Sequence, residues 1–142
     1  MQLTDTQREV QAMARRFADE VIRPQAGELD RDERFPADIY AEMGRLGLFG
    51  ITVPEELGGA GMDVVAYAVV MEELSRGYAS VADQCGLLEL AGTLLSVHGT
   101  PAQRERYLGP LLHAQLRPAY CITEADAGTD VVEHVARCDD VF

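Results

Sequence analysis

Residues 120–130 read Tyr-Cys-Ile-Thr-Glu-Ala-Asp-Ala-Gly-Thr-Asp, and the chain changes character there. Everything before this stretch has the spacing of helices and connecting loops. Here the apolar run Ala119, Tyr120, Cys121, Ile122 predicts a strand that enters a loop of small and oxygen-bearing side chains. Such a switch leaves backbone N–H groups and the hydroxyls of Thr123 and Thr129 free to face a polar ligand. The competing reading is a strand followed by an Asx- or Thr-rich turn that binds nothing. With only 142 residues, the chain has no room for a second full domain after the stretch. A site is opened and not completed.

A chain of this length buries a core without covalent staples. Its composition, 47% apolar and 25% charged, is that of a globular chain. The formal net charge of −12 argues against a nucleic-acid or anionic-membrane partner, which would need clustered Lys and Arg. The acidic residues are spread through the chain, so solubility explains them. Three cysteines without a CxxC pair imply neither zinc nor a disulfide framework, and Cys85 and Cys121 are predicted to be reduced core residues. His98, His113 and His134 lack ligand spacing, so no metal site is expected. There is no signal-peptide h-region, and the longest apolar run, 64–71, is too short to span a bilayer; a cytoplasmic protein is expected.

Working back to the start, Thr4 or Asp5 can cap a first helix. Its apolar stripe is Val10, Met13, Ala14, Phe17, Ala18 and Val21. Pro24 is expected to end it or begin a short turn, with 28–34 a solvated connection. A second helix follows Phe35-Pro36, burying Ile39, Tyr40, Met43 and Leu46 and closing at Gly47. Residues 48–53 then read as a brief extended piece. The Gly58-Gly59-Ala60-Gly61 loop is predicted to be a structural turn; phosphate binding is disfavoured, for it lacks the Lys-Ser/Thr of a P-loop.

Asp63 caps a largely apolar helix that Gly77 closes. From Ser80, as a possible cap, another apolar helix runs to about Val97. Asp83, Gln84 and Glu89 interrupt its surface and are expected to face water, the alternative being that one lines a ligand channel. Thr100-Pro101 starts a last helix, 102 to about 113, with Tyr107, Leu108, Leu111 and Leu112 inward. The expected fold class is mainly α.

The order of motifs resembles a known family. Residues 35–50 fit FP-x-x-x-Y-x-x-M-x-x-L-G-L-x-G; 53–61 read V-P-E-E-L-G-G-A-G; 71–76 read M-E-E-L-S-R; and 99–111 read G-T-P-A-Q-R-E-R-Y-L-G-P-L. With the block at 120–130, this resembles the acyl-CoA dehydrogenases, whose flavin-binding signature is T-E-x-x-A-G-S-D. The likeness runs in unbroken order over about residues 3–132. It implies a multi-helix, orthogonal or up-down N-terminal domain over residues 1–116. Residues 117–142 would then be the first strand and loop of a truncated middle β-domain.

By the same resemblance, Tyr120 and Ile122 would pack near the flavin of FAD and Thr123 would meet the ring's polar edge. Gly128 would let the backbone approach, and Thr129, a serine in the usual signature, would reach the FAD phosphate and the acyl-CoA. Gly86 and Leu90 would line the acyl pocket. The implied reaction is α,β-dehydrogenation of an acyl-CoA thioester, with electrons passing to an electron-transfer flavoprotein. A homo-oligomer, or association with a fuller subunit, is also implied. The family's catalytic glutamate lies in a C-terminal domain and matches no residue here, so no catalytic residue is expected and the chain alone is expected to be catalytically incomplete. Alternatives are a non-catalytic helical module that associates with a longer dehydrogenase subunit, or part of a related flavin oxidase or monooxygenase.

Overall fold

In the computed structural model, residues 2–123 are described, and they are mainly helical. Helix α1 (Asp5–Phe17) begins where Thr4 caps it: the hydroxyl accepts from the Gln7 N–H at 3.2 Å and the Thr4 N–H donates to Gln7 Oε1 at 2.9 Å. Helix α4 (Val64–Gly77) begins at Asp63, which accepts from the Ala66 N–H at 2.8 Å. The other Asp63 oxygen takes Gln7 Nε2 at 2.8 Å, so the two capped helix starts are tied to one another. α1 packs on α4, and α4 on α5 (Ala79–His98).

The core between them holds Ala14, Phe17, Ile22, Val70, Leu74, Val81, Cys85 and Leu88, all but removed from solvent. Burial of such side chains is the main favourable term in folding, at roughly 25 cal/mol per Å² of apolar surface. Glu73 is buried among them. Its carboxylate accepts from Arg15 Nε at 3.0 Å and Nη2 at 2.5 Å, and from Gln11 Nε2 at 3.1 Å.

Pro24 does not end the first helix. A five-residue π-helical turn, Ala18–Ile22, carries α1 into α2 (Arg23–Asp32), and the expected solvated connection is mostly the second half of α2. A proline clashes with the carbonyl four residues back and brings no N–H. The wide turn, in which the Arg23 N–H reaches back to the Ala18 carbonyl, admits the proline without breaking the rod. The last helix repeats the device: α6 (Pro101–Gln103), a π turn at Arg104–Leu108, then α7 (Gly109–Leu112) carrying Pro110 in its first turn. Thr100 caps this rod as expected. α5 begins at Ala79 with Tyr78 as its cap residue and no side-chain cap, so Ser80 does not play that part.

Helix α3 (Ala37–Arg45) closes through Gly47 at φ +69°. Residues 48–53 form no strand. They run irregularly through the core with Leu48, Phe49, Ile51 and Val53 buried. Glu89 of α5 does the work of a missing neighbour strand, accepting from the Ile51 N–H at 2.6 Å, the Thr52 N–H at 2.7 Å and the Thr52 hydroxyl at 2.5 Å. The glycine loop folds back on this segment. Gly59 donates to the Pro54 carbonyl, Ala60 to Gly50, Gly61 to Val53 and Met62 to Ile51. A Cβ at Gly59 would stand 2.1 Å from the Val53 carbonyl oxygen, so only glycine fits.

Residues 117–123 form no strand either. A strand exists only through a ladder to a neighbour, and none of the described residues supplies one. The start of this segment is pinned: Tyr40 donates its hydroxyl to the Leu116 carbonyl at 3.2 Å, and the Arg117 guanidinium lies 4.5 Å from the Phe35 ring centroid.

Candidate functional site

Helix α5 turns Val81, Ala82, Cys85, Leu88 and Gly92 toward the core. The opposite face carries Asp83, Gly86, Leu87 and Leu90 at three- and four-residue spacing, and they line an open groove of ≈400 Å³ that Tyr120 closes from the other side. Large apolar side chains stay in solvent along this helix: Leu90 is 40% exposed, Leu94 49% and Val97 62%. The Tyr120 ring is 56% exposed.

Of the residues expected at a site, Gly86, Leu90 and Tyr120 therefore meet at one groove. Ile122 is half-buried and Thr123 exposed, and neither lines it. Gly128 and Thr129 lie outside the described residues, as do His134 and Cys138.

Two expectations about α5 and its neighbours need correction. Glu89 does not face water or a channel; it is 6% exposed and committed to the 51–52 backbone. Asp83 is exposed, as expected of it, and also lines the groove, whereas Gln84 borders a separate cleft with Tyr78 and Phe35. Cys121 is exposed rather than in the core, because none of the described residues packs over its segment. Cys85 is buried as expected; burial pushes its thiol up to about 12, and its Sγ–H donates to the Leu48 carbonyl.

One residue at the groove and one packed behind Gly86 escaped the sequence reading. Leu87 belongs to the exposed stripe and could have been found from the spacing of Asp83 and Leu90. Tyr67 of α4 could not, because only packing brings it to α5. A Cβ built on Gly86 would lie 3.4 Å from Tyr67 Oη and 3.5 Å from Met71 Cε. Burial holds the Tyr67 phenol above its ordinary value, with the charges of Cys85, Glu89 and Asp83 adding to the shift. It is a hydrogen-bond donor at neutral pH.

Neither buried carboxylate is placed as a free base. Glu73 is held below the usual carboxylate range by its hydrogen bonds from Arg15, and Glu89 accepts three hydrogen bonds. The backbone N–H groups of the glycine loop are turned inward to carbonyls, so that loop offers no phosphate cradle. Among the described residues there is no group of three side chains suited to a metal ion, and no helix long and apolar enough to cross a membrane.

The groove's outer wall presents the exposed Tyr120, and Thr123, also exposed, lies outside the groove lining. An exposed aromatic ring such as that of Tyr120 can stack on one face of a planar ring.

Comparison with known proteins places the chain by sequence and by fold. The family profile described as acyl-CoA dehydrogenase, N-terminal domain, matches residues 4–115. A short-chain specific acyl-CoA dehydrogenase of Clostridium acetobutylicum is 40% identical, over 90% of this chain and 34% of its own length. The butyryl-CoA dehydrogenase structure from Megasphaera elsdenii superposes with a TM-score of 0.83 at 31% identity, covering 92% of this chain and 35% of that one. A chain in the structure of an electron transferring flavoprotein of Acidaminococcus fermentans gives 0.85 at 32% identity, covering 92% and 35%. The chain thus spans about a third of the length of the relatives it matches.

Proposed function

This chain belongs to the acyl-CoA dehydrogenase family, and from that premise we propose that it forms the amino-terminal helical part of an FAD-dependent enzyme that dehydrogenates acyl-CoA thioesters. In this reading residues 1–116 are the helical domain and 117–142 begin the flavin-binding β-domain. The observation that carries it is the groove on α5, where Gly86 and Leu90 face Tyr120 across an apolar floor.

The acyl chain would lie along Gly86, Leu87 and Leu90, where apolar surface excludes water from it. FAD, when bound, supplies the two-electron acceptor for the dehydrogenation. Tyr120, Ile122 and Thr123 would hold one side of its ring, with Gly128 and Thr129 continuing the contact. The catalytic base and the other flavin wall would come from sequence beyond this chain. An electron-transfer flavoprotein as acceptor, a cytoplasmic setting and a homo-oligomer belong to the same proposal. The exposed Leu90, Leu94 and Val97 are what such further parts would cover.

A chimera tests it. Residues 1–123 replace the corresponding third of the Clostridium acetobutylicum short-chain enzyme. The expected product binds FAD stoichiometrically and reduces an electron-acceptor dye with butyryl-CoA. A folded chimera that holds no flavin and turns over no acyl-CoA would sink the reading.

A further inference from the structure

The wall that Tyr120 gives the α5 groove stands on contacts made away from the groove. After α7, Ala114 turns the chain with a left-handed φ of +59°. The N–H groups of Gln115 and Leu116 then both donate to the Pro110 carbonyl, at 2.8 and 3.1 Å. Gly44 of α3 leaves room for this turn, since a Cβ there would stand 2.8 Å from the Ala114 Cβ. Next, the Leu116 carbonyl accepts from the Tyr40 hydroxyl at 3.2 Å, and the Arg117 guanidinium lies 4.5 Å from the Phe35 ring centroid. These rings form one platform: Phe35 lies 5.4 Å from Tyr40, and Tyr40 4.8 Å from the buried Phe49. The segment carrying Phe49 is itself bound to α5, through Cys85 at the Leu48 carbonyl and Glu89 at the Ile51 and Thr52 N–H groups. Among the described residues, Leu116 and Arg117 are the last points so fixed before Tyr120, which is at most about 10 Å further along the chain.

Resting on the acyl-site reading above for what the wall meets, we infer that Tyr40 and Arg117 are positioning residues, which hold Tyr120 across the α5 groove before a ligand arrives. Neither lines the groove; both act through the backbone at 116–117. A ligand then meets a wall already in place and does not have to order the segment itself. Each contact is one net interaction, a hydrogen bond or a cation–π pair, so its loss shifts the balance from docked to released segment about two- to fivefold. Tyr40→Phe removes the hydroxyl and keeps the ring in its stack. Arg117→Gln removes the cation, and Arg117→Lys keeps one.

The test is NMR on the full chain. In the wild type the Tyr120 ring is expected to show nuclear Overhauser contacts to the Leu87 and Leu90 methyls. Tyr40→Phe and Arg117→Gln should each weaken these contacts and speed exchange of the Leu116 amide about two- to fivefold, the double variant more than either. Arg117→Lys should stay near wild type, and the Val70 and Leu74 amides should keep their protection in every variant. Butyryl-CoA titrated into the same samples should bind the double variant more weakly than the wild type. Wild-type Tyr120 without contacts to α5, contacts unchanged in the double variant, or equal butyryl-CoA affinity in the two would each overturn the inference. If the wild type binds no butyryl-CoA while the Tyr120 contacts respond as stated, the acyl-site reading fails and the positioning roles stand.

Discussion

Glu89 is the residue whose role depends most on its surroundings. Three donors converge on its carboxylate, two of them backbone N–H groups of a segment with no strand partner. Glu89→Gln keeps the shape but leaves one oxygen for three donors. It should destabilise the chain by about 1–3 kcal/mol, read as a lower midpoint in urea at unchanged slope. The two described cysteines differ as sharply. Cys121 is exposed and Cys85 is buried with its thiol pushed up to about 12. Iodoacetamide on the native chain, followed by peptide mapping, should label Cys121 and spare Cys85 until denaturant is added; equal labelling would contradict the packing of α5. Both cysteines sit among apolar neighbours in sequence, and that is why sequence could not separate them: local composition reports what flanks a residue along the chain, not what covers it.

At the scale of elements, the α1–α4 pair is held by Glu73 and Arg15 as well as by apolar contact. The guanidinium holds the Glu73 carboxyl below its ordinary value of 4.5. A depressed folded-state value means this pair's contribution is complete above about pH 4.5 and is lost as pH falls below it toward the folded value. Acid titration of stability should therefore be less steep below that pH in Glu73→Gln than in the wild type. The substitution should also lower stability at neutral pH by about 1–3 kcal/mol, since Arg15 is half-exposed and recovers water. Three helix starts were legible at this scale: Thr4, Asp63 and Thr100 cap where expected. Capping acts over three residues and periodicity over one or two turns, so both are written locally. Pro24 was misread because a lone proline looks like a stop, whereas a wide turn before it absorbs the missing bond.

For the whole molecule, the described fold is a helical body with one extended, unladdered segment at 117–123. Amides of Cys121 and Ile122 should exchange within seconds in the isolated chain, while those of Val70, Leu74 and Leu88 persist far longer. Protection at 121–122 equal to that of α4 in a monomer would contradict an open segment. In the chimera described above, the same amides should become protected if the added sequence supplies strand partners.

Sequence by itself determined the mainly helical class, the caps at Thr4, Asp63 and Thr100, the closing Gly47 and the family likeness. These are properties of short-range spacing and of motif order. Only the tertiary structure decided that Glu89 substitutes for a strand neighbour, that the first helical rod runs through Pro24, and that Tyr120 and α5's Gly86 and Leu90 line one groove. It alone decided that Tyr67 of α4 packs against Gly86 of α5. Each of these joins residues that the chain keeps apart, and burial and hydrogen-bond satisfaction are settled only when separate elements meet.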